Sequence, residues 1–201
     1  MKYIYLQILI ILSINGLSAQ NGSKIDLLAD SLSHWKITNF GGEGSIYLEN
    51  DELIINYGEG LSGLTWNDSL PTNDYTIELE AMRVHGTDFF CGLTFPVGKD
   101  HCSLIVGGWG GALVGISSLN GKDASENHLT SFHSFSNGDW YAIKIQVDKD
   151  EVRAWIGEQQ VLVFDPQRYE ISVRGEMLLS RPLGIATWYT KAKIRNFRLC
   201  Y

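Results

Sequence analysis

Along most of this chain apolar and polar residues alternate one for one. In Tyr75-Thr-Ile-Glu-Leu-Glu-Ala-Met-Arg83 the residues Tyr75, Ile77, Leu79 and Ala81 fall on one side, and Thr76, Glu78, Glu80 and Met82 on the other. Successive side chains of an extended strand point to opposite faces, so this pattern predicts strands with one clearly buried face. Ile143, Ile145 and Val147 repeat it, as do Val152, Ala154 and Ile156. Beyond residue 20 no window of a dozen residues keeps apolar positions at helical spacing.

Further strands are predicted at Trp35 to Phe40, Ile46 to Leu48, Leu53 to Tyr57, Gly63 to Trp66, Phe89 to Phe95, Ser103 to Val106, Leu113 to Ile116, Gln160 to Phe164, Gly184 to Trp188 and Lys191 to Leu199. Turn pairs such as Asn50-Asp51, Asn120-Gly121, Asn137-Gly138 and Lys149-Asp150 separate them. About a dozen short strands, each apolar on one side, bury that side by packing two antiparallel sheets face to face. The expectation is an all-β, two-sheet jelly-roll sandwich of concanavalin A-like kind. At 201 residues the chain supports one such core, and no internal repeat or low-complexity linker divides it.

The first 19 residues read as an address. Lys2 precedes an apolar run from Tyr3 to Ile14, and Gly16-Leu17-Ser18-Ala19-Gln20 offers small residues to a signal peptidase. The run is about a dozen residues, short of the roughly 20 that span a bilayer. The expectation is an exported, periplasmic or extracellular product beginning near Gln20, with residues 20–201 as its single domain and no membrane insertion after cleavage. Without Lys2 the chain keeps 15 basic against 23 acidic residues. That balance excludes a sequence-independent grip on nucleic-acid phosphates.

An oxidising compartment makes disulfides the first thing to weigh for Cys91, Cys102 and Cys200. A hairpin turning at Gly98-Lys99-Asp100 sets Cys91 opposite roughly residue 107 and Cys102 opposite roughly residue 96. That slip is about 17 Å along the strands, against the roughly 4 to 7 Å between Cα atoms that a disulfide needs. Free buried thiols are expected.

Six tryptophans, Trp35, Trp66, Trp109, Trp140, Trp155 and Trp188, supply flat faces suited to the apolar side of a pyranose ring. Trp140 and Trp155 stand beside alternating Ile and Val, which predicts structural packing. Trp109 differs, because Gly107-Gly108-Trp109-Gly110-Gly111 leaves little bulk around it and lets a ligand reach the backbone. It is a candidate ligand contact, the alternative being a bulged strand whose indole plugs the sandwich end. Trp66 and Trp188 are further candidates for substrate binding.

The polar loop from Ser117 to His128 carries two carboxylates. As a site, it offers Glu126 and Asp123 as general acid or base, with Asn127 orienting a hydroxyl; as plain structure, it is a solvated loop. Oxygens of Asp123, Glu126 and Asn127 are also candidate calcium ligands, although their spacing matches no EF-hand, and no other cofactor is expected. His101 precedes the strand leading to the Trp109 glycines and is a candidate ligand contact. Glu78 and Glu80 share a strand face about 7 Å apart, a spacing glycosidase carboxylates use, but an outward, solvated face explains them better. No serine-nucleophile elbow, phosphate loop or dinucleotide fingerprint is present.

Four stretches carry a resemblance: Asp88-Phe-Phe-Cys-Gly-Leu-Thr-Phe-Pro96, His101-Cys-Ser-Leu-Ile-Val-Gly-Gly-Trp-Gly-Gly111, Gly115-Ile-Ser-Ser-Leu-Asn-Gly-Lys-Asp-Ala-Ser-Glu-Asn127 and Pro182-Leu-Gly-Ile-Ala-Thr-Trp188. They resemble a branch of the bacterial 3-keto-disaccharide hydrolase-like domain family, and Ile194-Arg-Asn-Phe-Arg-Leu199 is similar to that family's terminal F-R-N-I strand. The resemblance runs from about Trp35 to Leu199. It implies a concanavalin A-like sandwich in an exported protein of carbohydrate metabolism, with some members cleaving glycosides already oxidised at C3. Better-known members carry a G-Y-E-x-Q-type strand where this chain reads Cys102-Ser-Leu-Ile-Val-Gly-Gly, without a carboxylate.

The function expected is therefore cleavage of a 3-keto-glycoside or related sugar. The keto group acidifies the C2 proton, Glu126 or Asp123 removes it, the aglycone leaves, and hydration completes a net hydrolysis. His101 would assist as acid and Trp109 would support the ring. The alternative is a non-catalytic carbohydrate-binding module, which needs the aromatic platform and polar rim but no acid or base. Both readings place the Trp109 indole and the Asp123-Ala-Ser-Glu-Asn127 turn in one open hollow.

Overall fold

The most strongly alternating stretch is strand β6 (Tyr75–His85), where buried and half-buried residues take turns along ten residues. The computed structural model describes residues 23–201; the expected secretory leader and its cleavage point near Gln20 lie outside the described residues. Among those described, β6 is central to an antiparallel sheet in the order β13 (Gln159–Phe164), β12 (Val152–Ile156), β11 (Trp140–Val147), β6, β15 (Lys191–Cys200), β4 (Glu52–Ile55), β3 (Ile46–Glu49), with β1 (Lys24–Asp26) also paired to β15. A second antiparallel sheet runs β10 (Ser131–Phe132), β9 (Leu113–Ser117), β8 (Asp100–Gly108), β7 (Cys91–Val97), β14 (Gly184–Trp188), β5 (Leu61–Trp66), β2 (Trp35–Ile37). This is the two-sheet sandwich the alternation predicts. The strands β1 and β10 carry too few residues to show a period.

The core lies between the sheets. Ile77, Leu79, Ile143 and Ile194 from one sheet meet Leu93, Phe95, Leu104, Val106, Ile116 and Ile185 from the other. Fully burying a side chain such as Phe90, Phe95 or Phe197 contributes about 1.5–3 kcal/mol. The β7–β8 hairpin turns on Gly98 at φ +60° and pairs Val97 with Asp100. Cys91 therefore faces Val106 and Cys102 faces Phe95, one residue from the expected register, and both are buried free thiols; burial pushes each well above the ordinary thiol range.

Two tryptophan expectations need correction. Trp140 and Trp155 are half-buried on the outer side of the first sheet, under Arg195 at 4.0 Å and Lys144 at 5.2 Å, rather than packed in the core. Their faces meet the charged ends of basic side chains, Lys144 on the adjacent strand and Arg195 two strands away across β6. Glu80 stands on that same outer side and accepts from Arg195 Nε at 2.6 Å, as an outward strand face implies.

The outer face of the second sheet is also covered. Leu61, Phe89, Ile105, Leu113 and Ala186 form a second apolar cluster with Ala124 and Met177. The cover is the 118–127 loop and the 170–180 segment. Ser118 and Ser172 exchange backbone hydrogen bonds at 2.6 and 3.2 Å, and Asn120 N–H donates to the Glu170 carbonyl. A Cβ on Gly115 would lie 2.9 Å from the Ala124 carbonyl, so glycine there lets the loop lie flat on the sheet.

Candidate functional site

Trp109 follows the end of β8, where the register slips: Val106 pairs with Val114 but Gly108 pairs with Leu113, leaving Gly107 as a bulge. Trp109 itself sits at φ +49°, a conformation that is costly for a large side chain, and its indole is 43% exposed. Arg83, the last inward residue of β6, fastens this loop from behind. Its Nη1 donates to the Gly111 carbonyl at 3.1 Å, Nε to Asn137 Oδ1 at 2.7 Å and Nη2 to the Phe135 carbonyl at 2.6 Å. A Cβ on Gly111 would meet Arg83 Nη1 at 2.7 Å, so glycine is needed for that approach.

Trp188 ends β14. Strand β7 runs between β8 and β14, so the two indoles spring from segments two strands apart. Trp188 N–H donates to the Phe89 carbonyl and Phe90 N–H to the Val106 carbonyl, which sets both at the same end of the sheet. Between them opens a hollow of about 200 Å³. Leu61, Phe89, Ile105 and Met177 give it an apolar floor, and Asp88, Ser117, Arg174 and Glu176 give it a polar side.

The polar side is organised around Arg174. Its Nη1 donates to Asp123 Oδ2 at 2.5 Å and its Nη2 to Glu176 Oε1 at 3.1 Å. Ser117 Oγ donates to the other Asp123 oxygen, which also accepts the Ala124 N–H at 2.7 Å. The backbone amide of Glu176 itself, and then Arg174, hold the Glu176 carboxyl below its ordinary range, so it is ionised at neutral pH. Asp88 accepts the Phe89 N–H through Oδ1 at 2.8 Å.

Of the residues singled out in the sequence, Trp109 and Trp188 line the hollow. Asp123 stands just behind it, its oxygens spent on Ser117, Ala124 and Arg174. Glu126 does not join them. The chain turns back between Asp123 and Glu126, whose N–H donates to the Asp123 carbonyl, and Glu126 lines a separate recess with Lys122, His128 and Tyr169. Asn127 has no free amide to orient a hydroxyl, because Nδ2 donates to the carbonyls of Ile116 and Asp123 and Oδ1 accepts the Leu129 N–H. His101 pairs with Pro96 near the far end of the β7–β8 hairpin and is not among the residues around the hollow. Burial, then Arg181, push its imidazole below the ordinary range. Trp66 is 5% exposed in the core beside Trp35 and cannot meet a ligand. Of the candidate calcium ligands, Glu126 and Asn127 line the recess beside Tyr169 while the Asp123 oxygens bond Ser117, Ala124 and Arg174; among the described residues no group of three or more His, Cys, Asp or Glu side chains is arranged to hold a metal ion.

Arg174, Glu176 and Met177 escaped the sequence reading, since their segment has no strand period and reaches the hollow only through its pairing with the 118–120 loop. Asp88 carried one signal, its place at the head of a resembling stretch.

No protein-family model matches the chain, and no curated protein matches it. Solved structures do share its fold. A Bacillus subtilis protein of unknown function with a galectin-like fold superposes with a TM-score of 0.60 at 11% identity, covering 83% of this chain and 88% of that one. The carbohydrate-binding module CBM66 from Bacillus subtilis gives 0.54 at 16% identity, covering 82% and 94%. The ligand-free Crh5 transglycosylase gives 0.57 at 11% identity, covering 89% and 83%. At such identities the likeness establishes the architecture: an antiparallel jelly-roll sandwich of the kind these proteins have.

Proposed function

We propose that this chain is an exported carbohydrate-binding domain that seats a sugar ring between Trp109 and Trp188. The observation that carries the reading is that two indoles and three charged groups line one hollow. An indole face covers the C–H side of a pyranose, while carboxylates accept from its hydroxyls. The volume, about 200 Å³, is below the roughly 300–1,000 Å³ of drug-sized pockets and fits one ring. A carbohydrate-binding module among the structures of like fold adds support.

Calorimetric titration of a panel of mono- and oligosaccharides tests this. The Trp109→Ala change is expected to weaken binding roughly tenfold, about 1.4 kcal/mol, with little effect on the melting temperature because the indole lies outside the core. A folded protein that binds no member of the panel would remove the reading. N-terminal sequencing of the exported product, expected to begin near Gln20, tests the compartment.

A hydrolytic reading has its own support. Asp88 and Glu176 both border the hollow, and glycoside cleavage generally takes two carboxyl groups. On a 3-keto-glycoside one of them would remove the C2 proton as the C1–O bond breaks, the other would protonate the departing aglycone oxygen, and water would add across the resulting C1=C2 bond to complete the hydrolysis. Aglycone release from 3-keto-glucosides, lost in Asp88→Asn or Glu176→Gln, is its test; binding without turnover leaves the binding reading standing.

A further inference from the structure

Tyr189 follows Trp188 directly and shares an anomaly with Trp109. Its backbone sits at φ +43°, and its ring is 56% exposed. Large aromatic residues seldom hold left-handed backbone, and here both lie beside the same hollow with their rings turned to solvent. The Tyr189 ring stands edge-on to Trp188, with centroids 5.3 Å apart at 88°. Its N–H donates to the Gly60 carbonyl at 3.0 Å, which fixes the turn against the chain leading into β5.

That chain carries a second exposed aromatic. Tyr57 is 57% exposed, and its ring centroid lies 6.4 Å from that of His85, the last residue of β6. The next residue, Gly86, abuts Tyr189: a Cβ there would lie 2.9 Å from the Tyr189 carbonyl. Tyr57 and Tyr189 are thus joined through the His85–Gly86 corner, with Trp188 beside Tyr189. Nothing in the core accounts for two tyrosine faces left in water at one edge of a hollow. A neighbouring sugar unit would account for them: the hollow has room for a single ring, and a longer glycan would continue across its lip.

We infer that Tyr189 and Tyr57 form a second subsite, so that the ligand is an oligosaccharide of at least two units rather than a free monosaccharide. The inference rests on the carbohydrate reading and adds its length requirement. In the ground state each additional ring gains an aromatic face and neutral hydrogen bonds at the rim, with no charged group needed there.

The test is titration of the full mature chain with neutral gluco-, manno-, galacto-, xylo- and fructo-oligosaccharides of one to four units. In whichever series binds, the tetramer is expected to bind about tenfold more tightly than the monomer. Tyr57→Ala should bring the tetramer down to the monomer's affinity and leave the monomer unchanged. Tyr189→Gly, which also removes the ring packed edge-on against Trp188, should weaken the tetramer more than the monomer; Trp109→Ala should weaken both lengths together. Length-independent binding, or equal losses for monomer and tetramer in Tyr57→Ala, overturns the second subsite while the hollow's sugar reading stands. No binding to any series by folded protein overturns the sugar reading itself.

Discussion

Trp35 and Trp66 meet edge to face in the core, ring centroids 5.1 Å apart at 76°, yet only one of the two indoles has a use for its N–H. Trp35 Nε1 donates to the Leu27 carbonyl at 2.6 Å, whereas no acceptor among the described residues meets the buried Trp66 Nε1. A buried donor without a partner forfeits its hydration for nothing, while removing a satisfied one also strands its acceptor.

Replacing each indole with phenylalanine separates the two cases. Both variants lose a similar volume, so the packing penalty is largely shared. Trp35→Phe also loses a hydrogen bond and leaves the Leu27 carbonyl bare, so it is expected to cost about 1–3 kcal/mol more than Trp66→Phe. Urea midpoints at equal m-value measure the difference. Equal losses would mean that the Trp35 bond contributes nothing net.

Arg83 poses a similar question at the site. Its three donors end on the loop behind Trp109 and on the 135–137 segment, and it is 6% exposed. Arg83→Met should cost on the order of 3 kcal/mol, since a charge-assisted network is lost and the buried Gly111 carbonyl is left without its donor. Arg83→Lys keeps the charge but not the planar fork that reaches three acceptors at once. In that variant amide exchange at Gly110 and Gly111 should accelerate about tenfold while β6 keeps its protection, and sugar affinity should fall with it. Unchanged exchange in the loop would make Arg83 a core contact with no part in positioning Trp109.

The alternation at Tyr75 to Arg83 made the sandwich readable, and the glycines around Trp109 marked an exposed indole correctly. Assigning faces was harder. In Leu61-Ser-Gly-Leu-Thr-Trp66 all six residues are buried, because the outer side of that sheet is covered too, so no polar side announces which way Trp66 points. Trp188, two strands from Trp109, points outward to the hollow by register alone. Glu126 and Asp123 are three residues apart in one loop, and a single turn sends Glu126 to a recess that Asp123 does not line. Arg174 and Glu176 arrive through pairing between segments some 50 residues apart, Asn120 with Glu170, for which a local pattern holds no trace.

The charges around the hollow make its ligand preference predictable. Asp88, Asp123 and Glu176 outnumber the guanidiniums of Arg174, which already bonds two of the three, and of Arg83 behind the Trp109 loop, which interacts with Asp88. A ring bearing a carboxylate or sulfate about 5–6 Å from the surplus charge meets a repulsion of about 1–3 kcal/mol, depending on how much water remains. A neutral ring brings hydroxyl donors that the carboxylates accept, and a protonated amino sugar gains further. The Glu176 carboxyl is held below its ordinary range by its own amide and by Arg174, so its charge persists through mild acid and is lost only as pH falls below that range. Glucuronate oligomers are thus expected to bind about tenfold more weakly than matched glucose oligomers at low salt, across pH 5 to 8. The gap should narrow at about 0.5 M salt and in Asp88→Asn. Titrations in which the uronate binds as tightly as the neutral sugar, or more tightly, would reverse the assignment and make Arg174 an anion-recognising group despite its two carboxylate partners.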